Sequence, residues 1–367
     1  MKILMTGTHF TPALAVAEEL KKSNVEIIYV GRKNTMEGDS AESVESKVLP
    51  GAGIKFIPII AGRIQRSFTI LTIPSILKIP IGFIQAFFIV LFNTPDVILS
   101  FGGYVSVPVV FAGWLLSIPI IVHEQTLVSG LASKISYFFA DKIALSFDSG
   151  KKNEKIILTG NPIRNFLFKS GKVIDLNIFR VAKREKLPVI LIMGGNQGSH
   201  IINLAVEKSL SKLLKISCVI HVSGDNNFGD FERLTTLSQS EELGKLNERY
   251  MVKKWIGDEY GEILSSINLV VCRAGINTLT ELALIKRNAL VIPIPYLFGN
   301  EQNVNAKYFE DLGLVKILPQ SKLSADFLLE NIKICLKNPF NPDYEKINTV
   351  IFPDAAKRLA LETMLLI

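Results

Sequence analysis

Cysteine is scarce in this chain of 367 residues: only Cys218, Cys272 and Cys335 occur, far apart and odd in number. With no CxxC pair, neither a zinc ribbon nor a redox couple is written into the sequence, and a reducing compartment is the simple reading. Met1 to Gly7 holds no apolar stretch of signal-peptide length, so the start reads as a first strand and the chain as staying on the cytoplasmic side. Low-complexity segments and short-period repeats are missing too, which sets aside disordered and solenoid architectures. Charge is sparse at 20%, against a hydrophobic share of 48%. Extra apolar surface must therefore be covered somewhere. The formal charge of +7 admits nucleic acid, anionic lipid or phosphorylated substrates as partners. The apolar excess tilts that choice toward lipid and away from nucleic acid.

The length fits two domains, each able to bury its own core. One local grammar recurs along it: a short apolar run, a glycine-bearing turn, then helical spacing, which means parallel strands with crossover helices. Lys2 to Met5 leads through Thr6-Gly7-Thr8-His9 into a helix over Pro12 to Lys21, with Thr11 as the expected cap and Pro12 in the first helical position. Strands follow at Val25 to Val30, at Val97 to Ser100 before Phe101-Gly102-Gly103-Tyr104, and at Ile118 to Val122 before His123-Glu124-Gln125. These strand ends are where open α/β sheets place ligands. After Gly160-Asn161-Pro162 the pattern restarts at Val189 to Met193, followed by Gly194-Gly195-Asn196-Gln197-Gly198. It continues through Leu269 to Cys272, the turn Arg273-Ala274-Gly275, a helix from about Asn277 and a strand over Ala289 to Ile294. The expected division is residues 1–162, residues 163–350, and a final helix within 351–367 that packs back on the first domain.

Phe68 to Phe92 is the most apolar region, broken mainly by Pro74, Lys78, Pro80 and Gln85. Two prolines, a central lysine and a place inside a βαβ unit weigh against a transmembrane span. The preferred expectation is a partly exposed patch lying in a membrane interface, with Arg63, Arg66 and Lys78 drawn to anionic headgroups; core helices and a true span stay open as alternatives.

Each glycine turn that opens a helix offers backbone amides and a positive dipole end to an anion, and two such sites in two domains suit group transfer. The chain resembles glycosyltransferase family 28, and in particular its bacterial N-acetylglucosaminyltransferases acting on lipid I. That resemblance is carried by Thr6-Gly7-Thr8-His9-x-x-Pro12-Ala13-Leu14-Ala15, Gly102-Gly103-Tyr104-Val105-Ser106, His123-Glu124-Gln125, Gly160-Asn161-Pro162-x-Arg164, Gly194-Gly195-x-Gln197-Gly198, Cys272-Arg273-x-Gly275-x-x-Thr278-x-x-Glu281 and Gln302-x-x-Asn305-Ala306, all in the family's order. It implies a GT-B fold of the α/β class, two Rossmann-like domains facing across a cleft.

The resemblance further implies UDP-N-acetylglucosamine as donor, an undecaprenyl-linked acceptor, peripheral attachment to the inner membrane surface, and no cofactor or metal; consistently, the sequence has no Asp-x-Asp. Donor contacts would fall on Thr126, Arg164, Asn196, Gln197, Ile256, Ile276, Asn277, Thr278, Glu281, Glu301, Gln302 and Asn305. The acceptor diphosphate would meet Thr6, Gly7, Thr8, Gly103 and Tyr104. His9 would be the general base, with Glu124 as a second candidate or as a residue that orients His9 or a loop. His200 and His221 have no identifiable partner and read as structural.

Departures from the family pattern bear on activity. Met5 and Thr8 stand where two glycines of the first loop would be, with side chains expected to narrow the phosphate approach. Thr126, Asn196 and Glu301 also differ from the usual residues. Rival readings are a family 28 enzyme making a diacylglycerol glycolipid, a UDP-N-acetylglucosamine 2-epimerase of the same fold, and a catalytically silent cell-wall partner.

Overall fold

The computed structural model describes residues 1–34, 42–62, 72–150, 153–164, 176–195, 197–257, 259–338 and 340–367. The chain divides into two compact units, Met1–Arg164 with Phe352–Ile367, and Asn165–Ile351.

The first unit alternates β1 (Lys2–Thr6), α1 (Phe10–Lys21), β2 (Glu26–Gly31), α2 (Val44–Gly51), β3 (Lys55–Pro58), α3 (Thr72–Asn93), β4 (Val97–Ser100), α4 (Ser106–Leu115), β5 (Ile120–Glu124), α5 (Leu131–Phe139), β6 (Lys142–Leu145) and β7 (Ile156–Leu158). The second contains α6 (Asn177–Glu185), β8 (Val189–Met193), α7 (His200–Leu213), β9 (Cys218–Val222), α8 (Asp230–Ser238), β10 (Tyr250–Lys253), α9 (Tyr260–Ser266), β11 (Leu269–Cys272), α10 (Ile276–Leu284), β12 (Ala289–Val291), α11 (Glu301–Asp311), β13 (Val315–Ile317), α12 (Ala325–Lys337) and α13 (Tyr344–Val350). The last helix, α14 (Ala355–Met364), belongs to the first unit.

Both sheets are parallel, ordered β3-β2-β1-β4-β5-β6-β7 and β10-β9-β8-β11-β12-β13. Strands such as Ile3-Leu4-Met5, Val97 to Ser100, Val189 to Ile192 and Leu269 to Cys272 are buried throughout. Runs apolar on both faces are what a sheet covered by helices on both sides needs. In each order the chain turns back once, between β1 and β4 and between β8 and β11. Such switch points open a crevice at the strands' carboxyl ends.

The first helix begins earlier than its sequence suggested. His9 rather than Thr11 occupies the cap position, and Pro12 sits third in the helix. A proline's missing amide is harmless anywhere in a helix's first turn, because those amides have no intrahelical acceptor.

α3 shows why composition alone could not place it. From Ile76 to Asn93 only Gly82, Ala86 and Val90 are buried, a stripe at four-residue spacing. A Cβ on Gly82 would run into the Ile60 carbonyl, so this small-residue stripe lets the helix lie close on the domain. Its other faces leave Leu77 65%, Ile84 60% and Phe92 76% exposed.

α14 packs on α1: Leu359, Ala356 and Ala360 join a core with Leu14, Ala17 and Leu20, and Lys142 Nζ pairs with Glu362 at 2.8 Å. Truncating fully buried Leu359 to Ala should cost about 2–5 kcal/mol, the usual range for a core leucine. Trp114 and Trp255 report separately on the two units. In urea titrations of single-tryptophan forms, the Trp114 transition should move to lower denaturant and the Trp255 transition should stay; equal movement of both would show that this packing is not a property of the first unit alone.

Candidate active site

At the switch point of the first unit, β1 and β4 release the turns Gly7-Thr8-His9 and Phe101 to Tyr104. Gly7 adopts φ +140°, and a Cβ there would lie 2.8 Å from the Phe101 carbonyl carbon, so only glycine permits this approach. Thr8 N donates to the Gly102 carbonyl at 3.0 Å, and Tyr29 Oη donates to the Gly7 carbonyl at 2.9 Å. Thr8 and Gly103 are packed together, the Thr8 side chain filling the space a Cβ on Gly103 would need. Met5 does not reach the turn as its sequence position suggested: on the strand it is fully buried and points into the core against α1. Thr6 is likewise fully buried, so its side chain is sealed off from an anion, while Tyr104 is half-buried beside α4.

His9 is the half-buried cap residue of α1. Its Nδ1 lies 2.6 Å from Nε2 of Gln125, the residue after β5. The two terminal atoms of a glutamine amide exchange by a flip about the last torsion. With Oε1 toward the ring, His9 donates from Nδ1 and keeps Nε2 unprotonated, the form a general base requires. Burial holds the imidazole below its usual pKa of 6.5, against a smaller opposing pull from the Glu124 carboxylate. It is therefore neutral at pH 7.

The string His123-Glu124-Gln125 thus divides into three tasks. Buried His123 places Nε2 3.3 Å from the Gly160 carbonyl and 3.0 Å from Ser146 Oγ, and burial lowers its pKa to about 4. Glu124 is only 4% exposed. Its Oε1 accepts from Thr126 N at 3.1 Å and Thr126 Oγ at 2.7 Å, and its Oε2 accepts from Tyr137 Oη at 2.9 Å. Both oxygens are engaged in shaping the loop after β5, which suits the loop-orienting alternative better than the role of base. Gln125 is the residue the sequence reading passed over; its place beside Glu124 in the motif was the available signal.

Thr126 and Arg164, expected to touch the donor, lie in the first unit. The Thr126 hydroxyl is held by Glu124, and Arg164 Nε is 3.6 Å from Glu18 Oε1 on α1, an ion pair within the first unit. The remaining described donor candidates lie in the second unit; Asn196 falls outside the described residues, as do Arg63 and Arg66 of the basic fringe.

In the second unit, loops from β8, β9, β11 and β12 are tied at one end of the sheet. Gly198 and Gly224 meet backbone to backbone at φ +75° each, and a Cβ on either would collide with the other strand's loop. Arg273, 9% exposed, bridges the loops: it donates to the Ile292 carbonyl at 2.9 Å and to Ser199 Oγ at 2.8 Å. Burial lowers its pKa, yet a guanidinium remains charged at neutral pH. Asn305 is fully buried and its Nδ2 donates to the Ala274 carbonyl at 3.1 Å, tying α11 to the turn before α10; Gln302 Oε1 accepts from Ile294 N at 3.0 Å. α10 starts at Ile276, whose side chain is buried, leaving its backbone amide as the group it can offer. Asn277, Thr278, Ile256 and Glu301 are half-buried and Gln197 is exposed.

Glu281 Oε2 accepts from Tyr260 Oη at 3.1 Å. Tyr260 stays protonated, its pKa raised by burial and then by the Glu281 carboxylate. It is a second residue the sequence reading missed, four positions past the donor candidate Ile256. The histidines also gain partners. His200 Nδ1 lies 2.8 Å from Asp230 and its ring stacks on Phe228, while buried His221 meets Tyr250 Oη at 2.8 Å and Asn203 Oδ1 at 3.0 Å. Asn203 in turn donates to the Ser223 carbonyl and to Asp230, so this network braces the loop that carries Gly224.

Two parallel sheets, each with glycine turns at its switch point, define the two-domain α/β class of nucleotide-sugar enzymes with a GT-B-like fold. The chain belongs to glycosyltransferase family 28: residues 4–145 match the family's N-terminal domain and residues 189–359 its C-terminal domain. Among curated relatives, the UDP-N-acetylglucosamine-N-acetylmuramyl-(pentapeptide) pyrophosphoryl-undecaprenol N-acetylglucosamine transferase of Clostridium botulinum strain Langeland is 32% identical over 345 residues, 92% of this chain and 91% of the relative. Its counterpart in Clostridium kluyveri is 32% identical, covering 90% of both chains. Among solved structures, MurG of Acinetobacter baumannii superposes with a TM-score of 0.72 at 23% identity over 99% of both chains. The UDP-GlcNAc 2-epimerase of Methanocaldococcus jannaschii reaches 0.60 at 11% identity, covering 100% of this chain and 99% of the epimerase, a likeness of fold alone.

Replacing Gln125 by Glu places a carboxylate against the His9 N–H and favours the imidazolium, so the pKa of His9 should rise by about one to three units. Because the neutral ring is the active form, the acid limb of the pH–rate profile should move upward by that amount. A variant of full activity with an unmoved acid limb would remove His9 from the role of base.

Proposed function

We propose that this enzyme transfers N-acetylglucosamine from UDP-N-acetylglucosamine to the muramyl sugar of an undecaprenyl diphosphate acceptor, with inversion, at the cytoplasmic face of a membrane. The observation that carries this reading is the glycine-built turn at each sheet's switch point, one of them holding a neutral histidine. His9 Nε2 takes the proton of the attacking sugar hydroxyl as its oxygen bonds to the anomeric carbon. The bond to UDP breaks, and its electron pair leaves with the diphosphate. First-turn amides of α10, with the Arg273 charge in the turn just before that helix, suit that anion. Glu281, oriented by Tyr260, suits the ribose hydroxyls. The Gly103-Tyr104 turn at the start of α4 suits the acceptor diphosphate, and the exposed apolar face of α3 with Lys78 suits a membrane interface.

The 32% relatives favour this acceptor over a diacylglycerol, and the epimerase rival shares only the fold. Purified protein given labelled donor and lipid-linked acceptor should form the disaccharide lipid; free N-acetylmannosamine or a diacylglycerol glycolipid as product would replace the reading.

Two measurements probe its parts. Glu281→Ala should weaken donor binding on the order of 10- to 150-fold, the worth of a hydrogen bond to a charged group. It should also abolish the parent's discrimination against a 2′-deoxyuridine donor; equal discrimination by both proteins would move Glu281 off the ribose. With anionic vesicles the protein should pellet, less as salt rises. The double variant Leu77→Ser, Phe92→Ser should stay in the supernatant, and unchanged pelleting would take the α3 face away from the membrane.

A further inference from the structure

Between α3 and α4 runs a groove of about 310 Å³, walled by Phe83, Ile84, Phe87 and Phe88 on one side and by Phe111 and Leu115 on the other. Every side chain lining it is aliphatic or aromatic. The aromatic walls are braced against collapse: Phe83 meets Phe111 edge to face at 5.3 Å, and Phe111 is backed by Phe139 at 5.5 Å. Ile84 and Leu115 form an open rim, 60% and 54% exposed.

We propose that this groove seats the first branched C5 units of the acceptor's polyprenyl chain while the diphosphate lies at the Gly102–Tyr104 turn. The inference rests on the lipid-linked acceptor argued above and adds a site for its tail. The helix itself supplies the argument. α4 begins two residues after Tyr104 and ends at Leu115, so at about 1.5 Å per residue the groove starts roughly 10 Å along the helix from the headgroup turn. A diphosphate held at one end of α4 delivers its chain along the same helix. The wall chemistry accepts only hydrocarbon. A groove this small stands at the low end of small-ligand pockets, whereas a docked partner helix needs a row of anchor sites, and a stable dimer needs over a thousand Å² of buried surface.

The test uses muramyl-peptide diphosphates bearing one, three or five isoprene units, kept monomeric in detergent-free buffer. For the parent, KM should fall by on the order of tenfold from one unit to three, a modest return on about fourfold per buried methylene, and then flatten once the groove is full. Leu115→Trp fills the groove from its rim and should raise KM for the three-unit acceptor to that of the one-unit acceptor. Leu361→Trp, remote on α14, should keep the parent's series. A parent KM independent of chain length, or a Leu115→Trp series like the parent's, overturns the proposal. So does a dimer seen by sedimentation that Leu115→Trp dissolves, which would give the groove to a second copy. An arm independent of turnover separates this from failure of the transferase reading: a three-unit prenyl diphosphate with a terminal diazirine should label peptides of α3 or α4, and labelling elsewhere overturns the groove even in an active enzyme.

Discussion

Backbone must touch backbone where loops leave both sheets, at the β1–β4 switch point of the first and between the loops after β8 and β9 in the second, and the rest of the molecule is arranged around that requirement. Gly7 lies against Phe101, and Gly198 against Ser223 and Gly224, at separations where a Cβ has no room. Any other residue would spread these loops apart. Parallel strands bring these loops to the same end of each sheet; the glycines then decide how close they come.

Holding the loops falls to buried polar groups, which are costly unless their hydrogen bonds are made. Glu124 spends both oxygens on Thr126 and Tyr137. Asn203 links His221, Ser223 and Asp230. Arg273 is the unusual member: its described partners are a carbonyl and a hydroxyl, with no carboxylate among them. Burying a guanidinium this way is expensive for folding alone and is rational where an anion is to be bound close by. The same economy appears on α3, where Gly82, Ala86 and Val90 dock the helix and leave its large apolar side chains outward.

Much of this was legible in the sequence. Strand runs such as Val189 to Met193 and Val97 to Ser100 were placed correctly because a doubly covered strand needs an unbroken apolar run, and glycine-bearing turns marked their ends. The chain order of short motifs was enough for family membership. Boundaries set by packing were less legible. Ile118 and Pro119 looked like strand yet β5 starts at Ile120, and His9 took the cap that Thr11 seemed to offer. Met5 looked like an obstacle in a phosphate loop and proved to be core.

Sequence by itself determined the class of fold, the family, and the places where backbone freedom is indispensable, because periodicity and glycine spacing are local properties that survive without coordinates. Only the tertiary structure decided the division of labour among neighbours: Gln125 rather than Glu124 at His9, Tyr260 on Glu281, partners for His200 and His221, and the bond from Asn305 to the Ala274 carbonyl. Those assignments depend on which side chains from distant segments converge, over separations such as the 116 residues between His9 and Gln125, and no local pattern encodes a direction in space.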